Sequence, residues 1–162
     1  MLRLSWLISM GISLFGVMLI QHFFTMKPDD VAQAGNLGAL GLALAVPFIL
    51  LSLFTTYRFF LVTSRQARDQ LMRLIYLIFG VALLMVLIFY AIEFKNDVYA
   101  SLGGNTHTKD SQIYGFPALN EYTNHVFLNF YTFGIIHVVS GLAATIIGIF
   151  KKPSVIQEDK SN

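Results

Sequence analysis

The sequence predicts an all-α integral membrane protein with four transmembrane helices, and three observations carry that expectation. First, 56% of its 162 residues are hydrophobic and only 12% are charged, with a mean hydropathy of +0.65. A soluble domain of this size cannot hide so much apolar surface. Second, the apolar residues fall in blocks that reach the ~20 residues a helix needs to cross a hydrocarbon core. Third, Lys and Arg alternate in weight from one connection to the next, as they do in multi-pass chains.

The blocks run over residues 4–26, 37–62, 71–94 and 125–150. Backbone amides in lipid must satisfy one another, so each block is expected to be helical. The first is too long for a signal-peptide core, and Lys27-Pro28-Asp29-Asp30 separates it from the small-residue stretch Ala32-Gln33-Ala34, so it reads as a retained helix. Pro47, inside the second, is expected to kink it. All four blocks belong to one membrane domain, with a loop at 95–124 and a polar tail at 151–162.

Charge gives the expected orientation. The connection from Lys27 to Asn36 carries one Lys against two Asp, whereas the next carries Arg58, Arg65, Arg68 and Arg73. The 95–124 loop has two Lys against three acids, and the tail holds Lys151, Lys152 and Lys160. With Arg3, this pattern puts both termini in the cytoplasm. Trp6, Tyr57 and Phe59 then mark the inner interface, and Phe23, Phe24, Tyr90, Phe94, Phe130 and Tyr131 the outer one. Basic cytoplasmic loops without a transit-like N-terminus point to a bacterial inner membrane.

Several function classes drop out. There is no cysteine, hence no disulfide, thiolate metal site or thiol redox chemistry. A net charge of +2 with dispersed Lys and Arg does not build a nucleic-acid surface. No nucleophile–base pair, phosphate loop or clustered ligand set is visible, so the chain has no catalytic residues of its own.

What remains is packing chemistry. Ser140, Ala144 and Gly148 recur at spacing four on the last block, with Gly141 beside them and His137 on the same face. Small residues let helices approach closely in lipid, so this face is expected to meet another helix. Ser5, Ser9 and Ser13 make a similar stripe on the first block, and Gly41 with Ala45 on the second. His137 reads either as an interhelical hydrogen-bonding group or as a haem ligand. It lies ~18 Å deeper than His125, at 1.5 Å per helical residue, so no imidazole shares its depth. Only His22 with His125, both near the outer surface, can pair across a haem. Glu93 closes the third block at the interface, and no acid continues inward from it. In the long loop, His107 with Asp110 is a weak metal signal that reads more readily as solvated surface. Tyr114-Gly115-Phe116-Pro117 is either a partner-docking segment or solvated surface.

Taken together, the blocks resemble subunit III of the haem–copper respiratory oxidases, the cytochrome c and quinol oxidases. The strongest match is Phe130-Tyr131-Thr132-Phe133-Gly134-Ile135-Ile136-His137-Val138-Val139-Ser140-Gly141-Leu142, where His137, Val138 and Gly141 fit the second half of a pattern that reads Thr-Gly-x-His-Gly-x-His-Val-x-x-Gly. The third block, ending in Glu93-Phe94, is similar to the family's Gln-x-x-Glu-Tyr or Glu-Trp ending. Leu50-Leu51-Ser52 before an Arg-rich loop is similar to its preceding helix, and Trp6-Leu7-Ile8-Ser9 to the opening helix of the short quinol-oxidase form. There are departures. The family's first His falls on Gly134, the Gly after it on Ile135, its Gln on Phe89 and a usual acid near Met10, and no counterpart of its final helix follows Phe150.

The resemblance implies a redox-silent accessory subunit that stabilises a haem–copper catalytic subunit and binds lipid. Haem and copper would sit in that partner and not in this chain. His137, Ser140, Gly141, Ala144 and Gly148 would then serve helix packing, and Glu93, Arg65, Arg68 and Arg73 lipid or interface contacts. Two alternatives stay open: a cytochrome b-type anchor holding haem through His22 and His125, and a subunit III-like component of another respiratory complex.

Overall fold

A computed structural model describes residues 1–28, 30, 37–66 and 70–150. Every regular element among them is helical: α1 (Leu2–Phe23), α2 (Leu37–Gln66), α3 (Gln70–Ser101), the single turn α4 (Asn124–Phe127) and α5 (Phe130–Phe150). Four stretches are long and apolar enough to cross a membrane, namely α1, α2, α3 and α4–α5 taken together. At 22 residues, the shortest single helix of the first three, α1, is about 33 Å long. The chain therefore has the build of a multi-pass membrane protein.

α1 ends three residues before the expected 26 and α2 runs four past the expected 62, and two larger differences have local reasons. α3 does not stop at Phe94 but continues to Ser101. Leaving the apolar region removes no helical hydrogen bond, and Lys95 to Ser101 contains neither Gly nor Pro. The helix ends at Gly103, whose φ of +74° suits a residue without Cβ. There the Gly104 amide donates to the Tyr99 carbonyl (2.8 Å) and the Gly103 amide to that of Ala100 (3.1 Å), the paired bonds of a Schellman terminus.

The last span is likewise not one helix. Asn129 separates α4 from α5, and its Oδ1 accepts the amides of Tyr131 (2.8 Å) and Thr132 (3.0 Å). Thr132 Oγ1 in turn accepts the Asn129 amide at 2.9 Å, a reciprocal N-terminal cap. The Asn129 Nδ2 donates back to the His125 carbonyl at 2.8 Å. One buried amide thus serves both helix ends. Across Pro47, by contrast, α2 runs unbroken.

The helices pack in the order α1–α2–α5–α3, and α1 and α3 barely touch. The bundle is closed along three seams and loose along the fourth. The 102–123 segment is folded over one end of the bundle, hereafter the loop end. It has a core of its own, Leu102, Ile113 and Tyr122. The Tyr122 hydroxyl donates to the Asp30 carbonyl (2.9 Å), and the Met26 amide donates to Glu121 (2.9 Å). Tyr114 and Phe116 remain exposed on this cap.

Candidate functional site

His137 sits at the centre of the α2–α5 seam and is 4% exposed. Its Nδ1 lies 2.8 Å from the Phe133 carbonyl, and its Nε2 lies 2.8 Å from the Ser52 hydroxyl. A carbonyl can only accept, so Nδ1 carries the proton, and Nε2 faces the Ser52 hydroxyl, whose single proton it shares with the Ile49 carbonyl at 2.9 Å. The Phe133 ring stacks obliquely on the imidazole at 4.0 Å between centroids. Both ring nitrogens are therefore engaged within the bundle, and the lone pair a metal would need is pointed at α2.

The rest of the seam repeats this logic. Ser140 donates to the Leu53 carbonyl at 3.1 Å, and Ser64 donates to that of Thr145 at 3.1 Å. Gly141 and Gly148 are where α2 comes closest. A Cβ at Gly141 would stand 3.1 Å from the Phe60 ring, and one at Gly148 would stand 2.8 Å from Ser64. Ala144 is fully buried. Small residues bring the backbones near, and the polar groups then reach across.

α1 joins the same network. The Trp6 Nε1–H donates to Thr56 at 2.9 Å, and the indole stacks on Phe59 at 4.4 Å. Trp6 is thus an α1–α2 contact as much as an interfacial residue. Ser9 meets Thr55 at 2.7 Å, and Ser13 donates to the Phe48 carbonyl at 2.7 Å. Ser5 lies off this stripe, exposed, bonded to Met1. Sequence reasoning passed over the α2 side of the seam: Ser52, Thr55, Thr56 and Ser64. The signal was there, Ser52, Thr55 and Thr56 at i, i+3 and i+4 on one face of an apolar span, with Ser64 further round the helix.

The structure separates the interface candidates. Glu93 and Arg65 are exposed, and Arg73 is half-buried. Arg68 lies outside the described residues. Glu93 stands eight residues before the end of α3 and is not a helix terminus. His107 and Asp110 are exposed on the cap. Among the described residues no group of three or more His, Asp or Glu converges as a metal site.

His22 and His125, far apart in sequence, come to the same end of the bundle. Both line one cavity of about 340 Å³ at the loop end, between α1, α3 and α4, with Gln21, Lys27, Phe94 and Tyr122. His125 packs edge-on against Phe94 at 5.4 Å, and its enclosed Nδ1 has no hydrogen-bond partner. The chain matches no family model, no curated protein and no solved structure, so the resemblance to oxidase subunit III stands on the residues that carry it.

Proposed function

We propose that the chain is a redox-silent, subunit III-like accessory component of a haem–copper terminal oxidase, packed against the catalytic subunit and binding lipid. In this reading the haem and copper belong to that partner. The observation that carries it is the state of His137, the residue at the heart of the resemblance. Its ring is spent on tying α5 to α2 and is left with no valence for a cofactor. The apolar face of α3, with Leu74, Ile78, Met85 and Phe89 exposed, supplies surface for a neighbouring subunit or for lipid. The orientation belongs to the proposal as well: termini and Arg-rich connection in the cytoplasm of a bacterial cell, loop end outside.

The test is a gentle detergent purification through a C-terminal tag, followed by an optical spectrum and mass spectrometry of what accompanies the chain. A haem–copper subunit with oxidase activity should co-purify, and the isolated chain should be colourless. Co-purification with a different respiratory complex would move the chain to that assembly, and with no respiratory subunit at all the proposal fails.

A second reading has its own observation. Because His22 and His125 share a cavity, a b-type haem held between them remains a defined alternative. A Soret band in the isolated chain, lost on replacing either histidine, would establish it over the first reading.

A further inference from the structure

The cap over the loop end is divided by charge. Residues 105–112 expose His107, Lys109 and Asp110, a surface suited to water. Beyond the buried Ile113 come Tyr114-Gly115-Phe116-Pro117-Ala118-Leu119, all six of them exposed and none of them charged. Tyr114 is 52% exposed, Leu119 41% and Phe116 37%. These apolar side chains are not spent on the interior, because the core of the cap is Leu102, Ile113 and Tyr122. Nor is the stretch a loose strand. The Gly115 amide donates to the Thr106 carbonyl (3.0 Å), and the Phe116 amide donates to that of Ile113 (3.1 Å).

The same stretch is fixed in depth. Thr123 donates its hydroxyl to the Ala118 carbonyl at 2.7 Å, and the Asn120 Nδ2 donates to the Pro117 carbonyl at 2.8 Å. Both donor residues are buried. Thr123 directly precedes the last membrane-length stretch, residues 124–150. The Glu121 carbonyl accepts the Met26 amide, just past the end of α1. Residues 117–121 are thereby tied to the points where the first span ends and the last begins. The polar interfacial layer of a bilayer is roughly 5–7 Å deep on each side of the hydrocarbon, and tethers this short keep the stretch within it. Aromatic side chains are favoured at that depth. Phe23, Phe127 and Phe130 expose their rings at the same end of the bundle, so the stretch continues the lipid-facing surface of the spans.

We infer that residues 114–119 are seated in the interfacial layer of the bilayer that the chain itself spans. Phe116 and Leu119 reach the boundary of the acyl chains, and the charged 105–112 half of the cap is turned to water. An uncharged surface set at head-group depth fits a lipid layer better than a soluble partner. The contact is with the bulk membrane surface and not with a lipid lodged between helices. It goes beyond the proposed function and holds whichever respiratory assembly the chain joins.

The chain has no cysteine, so single ones can be introduced without removing others. Phe116→Cys, Leu119→Cys and, for comparison, Lys109→Cys are each labelled with a nitroxide. The full chain is then reconstituted at high lipid excess in vesicles of dioleoyl phosphatidylcholine and dioleoyl phosphatidylglycerol. Power-saturation EPR compares collisions with oxygen, which concentrates in the bilayer, and with a neutral water-soluble nickel chelate. All three positions are exposed, so each variant should keep the wild-type helix content, checked by far-UV circular dichroism. The labels at 116 and 119 should favour oxygen over the chelate severalfold more than the label at 109 does. Chelate access at 116 and 119 equal to that at 109 overturns the inference, because the stretch would then be solvated and free for a protein partner. Shielding from both reagents, with dipolar broadening between labels, also overturns it, since a second copy of the chain would then cover the stretch.

Discussion

Two seams of the same bundle are built by opposite rules. Between α2 and α5, glycines bring the backbones together, and His137–Ser52, Ser140–Leu53 and Ser64–Thr145 bond across. Between α1 and α3 there is almost no contact, only cavities lined by Met10, Phe79, Leu83 and Phe94. In lipid, apolar side chains gain little by leaving one apolar surface for another, so bulk hydrophobicity does not close a seam. Close approach and interhelical hydrogen bonds do. α1 turns Ser9 and Ser13 towards α2, which leaves its other face without a means of gripping α3.

That contrast can be broken at three places, with effects of decreasing size. Gly148→Leu drives a branched side chain into Ser64 and the Leu61 carbonyl. It should destabilise the chain by about 2–3 kcal/mol, the usual scale for overpacking, read as an earlier midpoint in dodecyl maltoside–SDS unfolding. A change under about 0.5 kcal/mol would mean that α2 and α5 are not closely apposed there. Next, a double-mutant cycle between Ser52→Ala and His137→Phe should give a coupling of about 1 kcal/mol, within the range for hydrogen bonds between membrane helices. A coupling near zero would remove Ser52 as the partner of the imidazole. Smallest is Phe79→Ala in the loose seam. Phe79 is 69% exposed and borders the central cavity, so the variant should stay within about 0.5 kcal/mol of wild type. A loss like that of Gly148→Leu would show that α1 and α3 pack together after all.

Part of the site was readable from residue spacing. Ser140, Ala144 and Gly148 repeat at four, and that period alone puts them with His137 on one face of a helix. The α2 half was equally periodic in Ser52, Thr56 and Ser64, yet hydroxyls scattered through an apolar span draw less notice than glycines. Asn129 shows a different obscurity. Its cap with Thr132 is the only break in a run of apolar residues that would otherwise continue from α4 into α5. A membrane-length window averages such a signal away. The ordered 102–123 cap opens on the Schellman turn that Gly103 signals locally, but it depended on Tyr122 reaching Asp30, a contact that no local pattern specifies.

By itself the sequence determined the helical class and the four spans. Hydrocarbon offers no outside partner for a peptide group, so each apolar block of sufficient length must satisfy its own backbone. Which helices grip and which stand apart was decided only in three dimensions. A stripe of small or polar residues says that a face will be buried, but not against what. The partner depends on how each helix is rotated about its axis, and on whether a hydroxyl such as that of Ser52 arrives at the depth of an imidazole such as that of His137. The same rotation carried His22 and His125, more than a hundred residues apart, to the walls of one cavity.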